Sequence, residues 1–459
     1  MDYIGKRELI LKGKMARVIL LLSAPIMLNN LIQTIYDLTD TYWVSKIGST
    51  QVAAITLIWP VIFLMISLGM GVGIGGTALI SQYVGSGQPT QARDVAGQII
   101  TFSFLSSLLI GLAGALFSTQ IVSGMGGTGE LLQEASDYLR IIFIGLPTMF
   151  LFFAYTAIQQ GQGDTMTPMK FGALSVFLNI ILDPIFIFTF GLGISGAAYA
   201  TVIARGLFAV ISISRLFKYS DGIHLNRSHL GLNKPVLKNL LKIALPSSVG
   251  RSTEAFGFVI LTVFIMSFGE NTMAAFGIGN RINSMILMPA MGISVALTTV
   301  IGQNLGANNI ERAKQAIKTS IQLTMVFLVI GGTVIFTSAV SIVGIFTTDM
   351  EVLSQGSFYL RAMTLSLPFM GFFSIFIGTF QGSGHTVSAM VMMSGRLWAL
   401  RIPLILIFKN YTNLAEKSVW FAMVLSNAII CLVGLIIYST GRWQKPVIQN
   451  EKGDVTNLL

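Results

Sequence analysis

The sequence predicts an all-α integral membrane protein, with about twelve transmembrane helices in two six-helix, parallel-repeat lobes around a central cavity. Three observations carry this. Of 459 residues, 53% are hydrophobic and only 10% charged, whereas soluble domains carry about 25% charged residues. So little charge leaves no polar coat, and the solvent is largely lipid. Twelve apolar runs are long enough to span, and the second six repeat the first.

The runs lie near 18–44, 52–84, 95–121, 138–160, 170–190 and 196–217, then near 241–267, 273–305, 315–343, 358–380, 390–409 and 418–439. A spanning helix needs about 20 residues, so the longer runs are expected to tilt, kink or extend past the bilayer. The first run lacks a small-residue cleavage site and is expected to stay as the first spanning helix.

Charge sets direction. Lys6, Arg7, Lys12, Lys14 and Arg17 precede the first run, and Lys218, Arg227, Lys234, Lys238 and Lys242 fill the middle connection. Arg312, Lys314 and Lys318 follow the eighth run, and Arg442, Lys445 and Lys452 the last. Alternate loops hold Glu130, Glu134, Asp137, Glu270, Asp349 and Glu351. The positive-inside rule then puts both termini in the cytoplasm, beneath a cell membrane. Lys46, Lys409 and Lys417 run against the pattern. The net charge of +10 therefore reads as a topology signal and not as a nucleic-acid face. Trp43, Trp59, Trp420 and Trp443 fall near run ends, where an aromatic belt is expected. Cys431, the single cysteine, makes no internal disulfide. His224 and His229 are expected to be solvated in the middle connection.

The halves align without a gap. Pro25 pairs with Pro246, an offset of 246 − 25 = 221 residues. The same offset pairs Gln82 with Gln303, Gly85 with Gly306, Ala92 with Ala313, Tyr138 with Tyr359, Pro147 with Pro368 and Gly161 with Gly382. Six helices per half is an even number, so the repeats are parallel, and transporters built this way bind substrate between halves that rock. The expected organisation is a lobe over 1–220, a cytoplasmic linker over 221–240, a second lobe over 241–440 and a tail over 441–459. Gly71, Gly73 and Gly76 spell GxGxxG, but no strand precedes them. The second half puts Gly292, Ser294 and Leu297 there, so small residues for close helix packing are the expected reason.

Acids inside the runs are few: Asp37, Asp40, Asp183 and Glu254. Each costs about 2.5–3.5 kcal/mol at the bilayer centre. The repeat partners of the three aspartates are Phe258, Leu261 and Leu404, so the fold does not require acids there, and a functional role follows. Asn29, Gln33, Tyr36, Asp37 and Asp40 recur at helical spacing and form one polar stripe. Asn179 and Asp183 share a face of the fifth run, and Thr201 of the sixth falls at the depth of Asp40 and Asp183. Two close buried carboxylates resist joint ionisation. The site can hold a proton and release it to water or to a cationic substrate. Alternatively it binds sodium at Asp40 and Asp183, with Asn179 and Thr201 adding oxygens. Pro25 and Pro184 are candidate hinges, Pro184 because it cannot bond the Ile180 carbonyl. Glu254 either supports the cavity or pairs with Arg251.

No GxxxxGK[ST], HExxH or GxSxG sequence occurs, so neither ATP hydrolysis nor covalent catalysis is expected, and no cofactor. One charge crossing about 100 mV supplies roughly 2.3 kcal/mol, close to the roughly 2.7 kcal/mol of a 100-fold gradient. An ion, H+ or Na+, suffices as the energy source.

Nearly the whole chain resembles the multidrug and toxic compound extrusion (MATE) family. The resemblance rests on the six-plus-six layout, the Pro25–Asp40 segment, the paired Gln82-Tyr-Val-Gly85 and Gln303-Asn-Leu-Gly306 turns, and the Gln-Gly-x-Gly turns. Aspartates concentrated in the first lobe make it most similar to the DinF-like branch. The resemblance implies antiport of organic cations and other drugs from a V-shaped cavity. Coupling is implied at Asp40 and Asp183, with Gln33, Tyr36, Asn179 and Thr201 around them and bending near Pro25. The tenth run lacks the acid that related branches use for a second-lobe cation site. Two alternatives remain. A flippase for a lipid-linked precursor needs a strongly cationic cavity, against the few membrane arginines Arg205, Arg251, Arg281, Arg396 and Arg401. A major facilitator porter needs a GxxxDRxGRR-like loop, where this chain has Gly85-Ser-Gly-Gln-Pro-Thr-Gln-Ala-Arg-Asp94. The expected assembly is a monomer in the lipid bilayer, handling a small-molecule drug or organic cation and no nucleic acid.

Overall fold

The computed structural model describes residues 3–218 and 222–448; Lys452 and its neighbours lie outside them. Among the described residues twelve helices are long and apolar enough to cross a membrane. A surface helix α1 (Tyr3–Lys12) comes first. The first lobe follows as α2 (Met15–Ser45), α3 (Ser49–Ser86), α4 (Pro89–Leu116), the short α5 (Ser118–Gly124), α6 (Gly129–Gly161), α7 (Met166–Pro184) and α8 (Gly193–Lys218). The second lobe holds α9 (Lys234–Met266), α10 (Glu270–Gly306), α11 (Ile310–Gly344), α12 (Met350–Gly382), α13 (Thr386–Ser394), α14 (Ile402–Tyr411) and α15 (Lys417–Ser439). A π-helical stretch, Gly395–Arg401, joins α13 and α14 into one span.

The first helix of each lobe changes partners along its length. Residues Met15, Val18, Ile19, Leu22 and Ile26 of α2 pack into the second lobe, against Ile293, Leu297, Ile375 and Phe376. Beyond Pro25, Val44 and Tyr36 belong to the first lobe. The repeat mirrors this: Leu240, Ile243 and Ala244 of α9 join the first-lobe core, while Leu261 and Ile265 join the second. Pro25 and Pro246 therefore mark where each helix crosses from one lobe to the other. α2 stays unbroken through Pro25.

Small residues allow this crossing. A Cβ on Gly71 would overlap Ser248, and one on Gly75 would press on the Ala244 backbone at 3.1 Å. The GxGxxG segment thus lets α3 and α9 touch backbone to backbone, the packing role expected of it.

Several expectations are corrected. Trp420 and Trp443 are not in a belt but fully buried. Trp420 packs on Tyr359 and Phe276, and Trp443 stacks on Tyr438 at 5.2 Å. Helix ends near the interface can hold buried core aromatics, and sequence position does not separate the two cases. The described part of the middle connection is bonded to the first lobe. Gln98 donates to the Gly231 carbonyl at 2.6 Å and accepts from the Asn233 N–H at 2.9 Å. His229 is half-buried, and its Nδ1 accepts from the Asn226 N–H. At Pro184 the chain does not break; it runs on into π-helical Ile185–Thr189, a wider turn that tolerates the missing donor.

Candidate ion-coupling site

Helices α2, α7 and α8 bring four predicted residues together. Tyr36 and Thr201 hydroxyls share a hydrogen bond of 3.1 Å. The Asn179 amide donates to Asp183 Oδ1 at 3.1 Å and to Thr201 Oγ1 at 3.4 Å. Asp183 is fully buried, and Asn179, Thr201 and Tyr36 are nearly so. Asp40 is an electrostatic neighbour of Asp183 and of Tyr36. The four-residue spacing of Asn179 and Asp183 on α7 makes the central pair. Thr201 lies on α8, one turn beyond the small-residue start Gly193-Ile-Ser-Gly-Ala-Ala198 that packs under the π-helical turn.

Three oxygens in this chamber are buried and lack a hydrogen-bond partner: Asp40 Oδ1, Asn179 Oδ1 and Asp183 Oδ2. Buried polar atoms are normally paired. All three are acceptors, so what each lacks is a donor hydrogen or a cation. Two carboxylates, an amide oxygen and hydroxyls are also the donor set a hard cation prefers.

Two further members went unassigned in the sequence. Arg205 of α8 lies over the Tyr36 ring at 5.3 Å, and Tyr138 of α6 is an electrostatic neighbour of Asp40, Tyr36, Arg205 and Asp183. The repeat pairing of Tyr138 with Tyr359 was the only signal for the tyrosine; Arg205 had none beyond its presence within a membrane run.

The other candidates stand apart. Asp37 is exposed and accepts from Gln33 Nε2 at 2.9 Å, one turn along the same helix. Asn29 lies three turns from Asp40, where it lines a small cavity with Pro25, Phe152, Thr156 and Pro168. Glu254, expected either to support the cavity or to pair with Arg251, pairs with Arg396. The guanidinium of another helix competes better than one three residues away.

At the end of the molecule where the described chain begins and ends, the lobes are closed against each other. Gln82 donates to the Gly382 carbonyl, Gln303 to the Gly161 carbonyl, and Thr299 to the Gln160 carbonyl. α1 adds a strap. Its Arg7 donates to the carbonyls of Val84 and Gly85, both at 2.8 Å, and Lys6 pairs with Asp164 at 2.7 Å. From the second lobe Arg312 donates to the carbonyls of Ile10 and Gly13.

The MatE family model matches residues 25–185 and 246–407, one copy in each lobe. The chain is 30% identical over 448 residues, covering 95% of this chain and 96% of the relative, to the "Probable multidrug resistance protein YoeA" of Bacillus subtilis (strain 168). It is 29% identical over 430 residues, 93% of this chain and 94% of the relative, to the "Multidrug export protein MepA" of Staphylococcus aureus (strain NCTC 8325 / PS 47). A solved structure titled "Crystal structure of MATE in complex with MaL6" superposes with a TM-score of 0.89 at 27% identity, over 95% of this chain and 98% of that one.

Proposed function

Because this chain belongs to the MatE family of multidrug efflux transporters, and so is a multi-pass membrane transporter of small molecules rather than an enzyme, we propose that it works by ion-coupled antiport. Organic cations or other amphipathic compounds leave in exchange for protons, through a monomer whose termini are cytoplasmic in the cell membrane. The two unpartnered carboxylate oxygens of Asp40 and Asp183 carry this reading.

Both carboxylates ionised together, with Asp40 Oδ1 and Asp183 Oδ2 buried and unpartnered, repel each other. One proton held between them relieves this. A cationic substrate or entering water stabilises the doubly ionised form and expels the proton. The consequence is mechanical because α2 belongs to both lobes. Its second half carries Tyr36 and Asp40, while its first half is packed in the second-lobe core. A change in how the upper half sits is passed to the closed seam below, with Pro25 and Pro184 as the points of give. With the termini cytoplasmic, closure at their end shuts the route between the lobes from the cytoplasm.

A sodium-coupled cycle is the second reading. The unpartnered Asn179 Oδ1 favours it, since a carboxyl proton does not require an extra carbonyl and sodium does.

The test is transport in proteoliposomes with an imposed pH gradient. Asp40→Asn and Asp183→Asn should each abolish pH-driven ethidium accumulation, and Asp37→Asn should retain it. Full pH-driven transport in both site variants would remove the mechanism.

A further inference from the structure

The second lobe also has a charged interior, of the opposite sign. It is built from the first and fifth spans of its lobe, as the acidic site is built from α2 and α7. At the 221-residue offset, Arg251 stands opposite Asn30, Glu254 opposite Gln33, Arg396 opposite Ser175 and Arg401 opposite Ile180. The acids of the first lobe become Leu261 and Leu404. The lobes are thus alike in fold and opposed in polarity.

The cluster is continuous. Arg251 neighbours Glu254 electrostatically, Glu254 pairs with Arg396, and Arg396 neighbours Arg401. Arg401 is 5% exposed and donates to Ser426 Oγ at 3.1 Å and Asn427 Oδ1 at 2.8 Å. Arg396 is 8% exposed, with its guanidinium 4.4 Å from the Phe373 ring centre. Guanidinium groups do not lose their proton. Three cations against one carboxylate leave two positive charges unmatched, and with Arg396 and Arg401 buried and Arg251 half-buried this departs from the rule that buried charges are paired. The neutral oxygens of Ser426 and Asn427 do not neutralise them. Arg396 Nε and Arg251 Nε are moreover buried with no hydrogen-bond partner. These are donors, the converse of the orphaned acceptors in the first lobe. Glu254 is partly open, with its side chain 31% exposed, so the cluster is not sealed in the core.

We infer that the second lobe binds a small anionic group at Arg251, Arg396 and Arg401: a free halide, or the carboxylate of an amphipathic substrate. Such a substrate would place its cationic end toward the first lobe. The inference extends the export reading, but its binding test does not depend on it.

The experiment measures radioactive chloride binding to the purified full-length protein, with acetate as the competing carboxylate. Saturable binding is expected, displaced by acetate, weakened at least about tenfold in Arg251→Gln and kept in Arg251→Lys. Transport of ethidium, which has no acid group, and of a carboxylate-bearing fluoroquinolone is then compared. An unchanged elution profile and melting temperature show that Arg251→Gln is folded, and its ethidium transport is the reference for the fluoroquinolone. A fluoroquinolone KM raised about tenfold makes the substrate's carboxylate the occupant; an unchanged KM with chloride binding lost makes it a free anion. Absent chloride binding in wild type, or equal binding in Arg251→Gln, overturns the site. Failure of wild type to transport either compound would sink the export reading while leaving the chloride result standing.

Discussion

Gln82 and Gln303, partners in the internal repeat, make the same bond in opposite directions across the lobe boundary. Gln82 Nε2 donates to the Gly382 carbonyl at 3.2 Å, and Gln303 Nε2 to the Gly161 carbonyl at 3.0 Å; the two acceptors are themselves repeat partners. Gly85 and Gly306 complete the clasp: a Cβ on either would overlap the carbonyl of Gln303 or Gln82. The Gln-x-x-Gly turns thus close one end of the molecule about a two-fold axis.

Overlap in a packed contact costs about 1–3 kcal/mol, all of it charged to the closed form. Gly306→Ala should therefore shift the population toward lobes separated at the terminus-bearing end. Electron–electron distance measurements between spin labels on α4 and α11 should show a longer distribution than wild type. An unchanged distribution would mean that the clasp does not hold this end shut.

The strap helix makes a separate prediction. α1 is bound to the first lobe by Lys6 and Arg7, while the Arg312 bonds given above and the burial of Ile10 in the second-lobe core tie its end to the second. Arg312→Ala should loosen closure by about 1–3 kcal/mol, two charged-donor bonds being lost, without affecting substrate binding. Faster proteolysis after Lys12 and Lys14 would report it.

Asp164 gives a pH dependence. Burial pushes its carboxyl up, but the Lys6 bond and the Thr167 backbone N–H outweigh this and hold it below the ordinary value. A depressed carboxyl stabilises the fold above the unfolded value of about 3.9, and that contribution fades as pH falls through the folded value. Asp164→Asn should lower the melting temperature of the detergent-solubilised protein at pH 7, by the equivalent of about 1–2 kcal/mol. Its deficit against wild type should shrink below about pH 4. A deficit independent of pH would show that the ion pair is not its origin.

Asn179 is the joint of the coupling site. Asn179→Leu removes the donor to both Asp183 and Thr201 and leaves a buried carboxylate oxygen unpaired, which costs about 1–3 kcal/mol. Efflux should slow at least about tenfold. Retained proton coupling with sodium dependence lost would identify sodium as the ligand of the amide oxygen.

Most of this architecture was legible because lipid allows few solutions. Apolar runs gave the twelve spans and one constant offset gave the lobes. The replacement of Asp40 and Asp183 by leucines in the repeat singled out the acids, and helical spacing put Asn179 beside Asp183. What escaped depends on partners remote in sequence. Nothing near Glu254 points to Arg396. Lys6, Arg7 and Arg312 look like topology charges, yet each bonds a chosen acceptor. The exchange of α2 and α9 between lobes is invisible to periodicity, since an apolar face reads alike whichever lobe covers it.

The most direct measurement follows protons released when substrate binds. Ethidium is added to purified protein in weakly buffered detergent near neutral pH, with sodium present or replaced by choline, and a soluble indicator reads the pH. The expected result is proton release in proportion to ethidium bound, the same in both salts and absent in Asp183→Asn. Ethidium binding with no proton released in either salt would contradict exchange at Asp40 and Asp183.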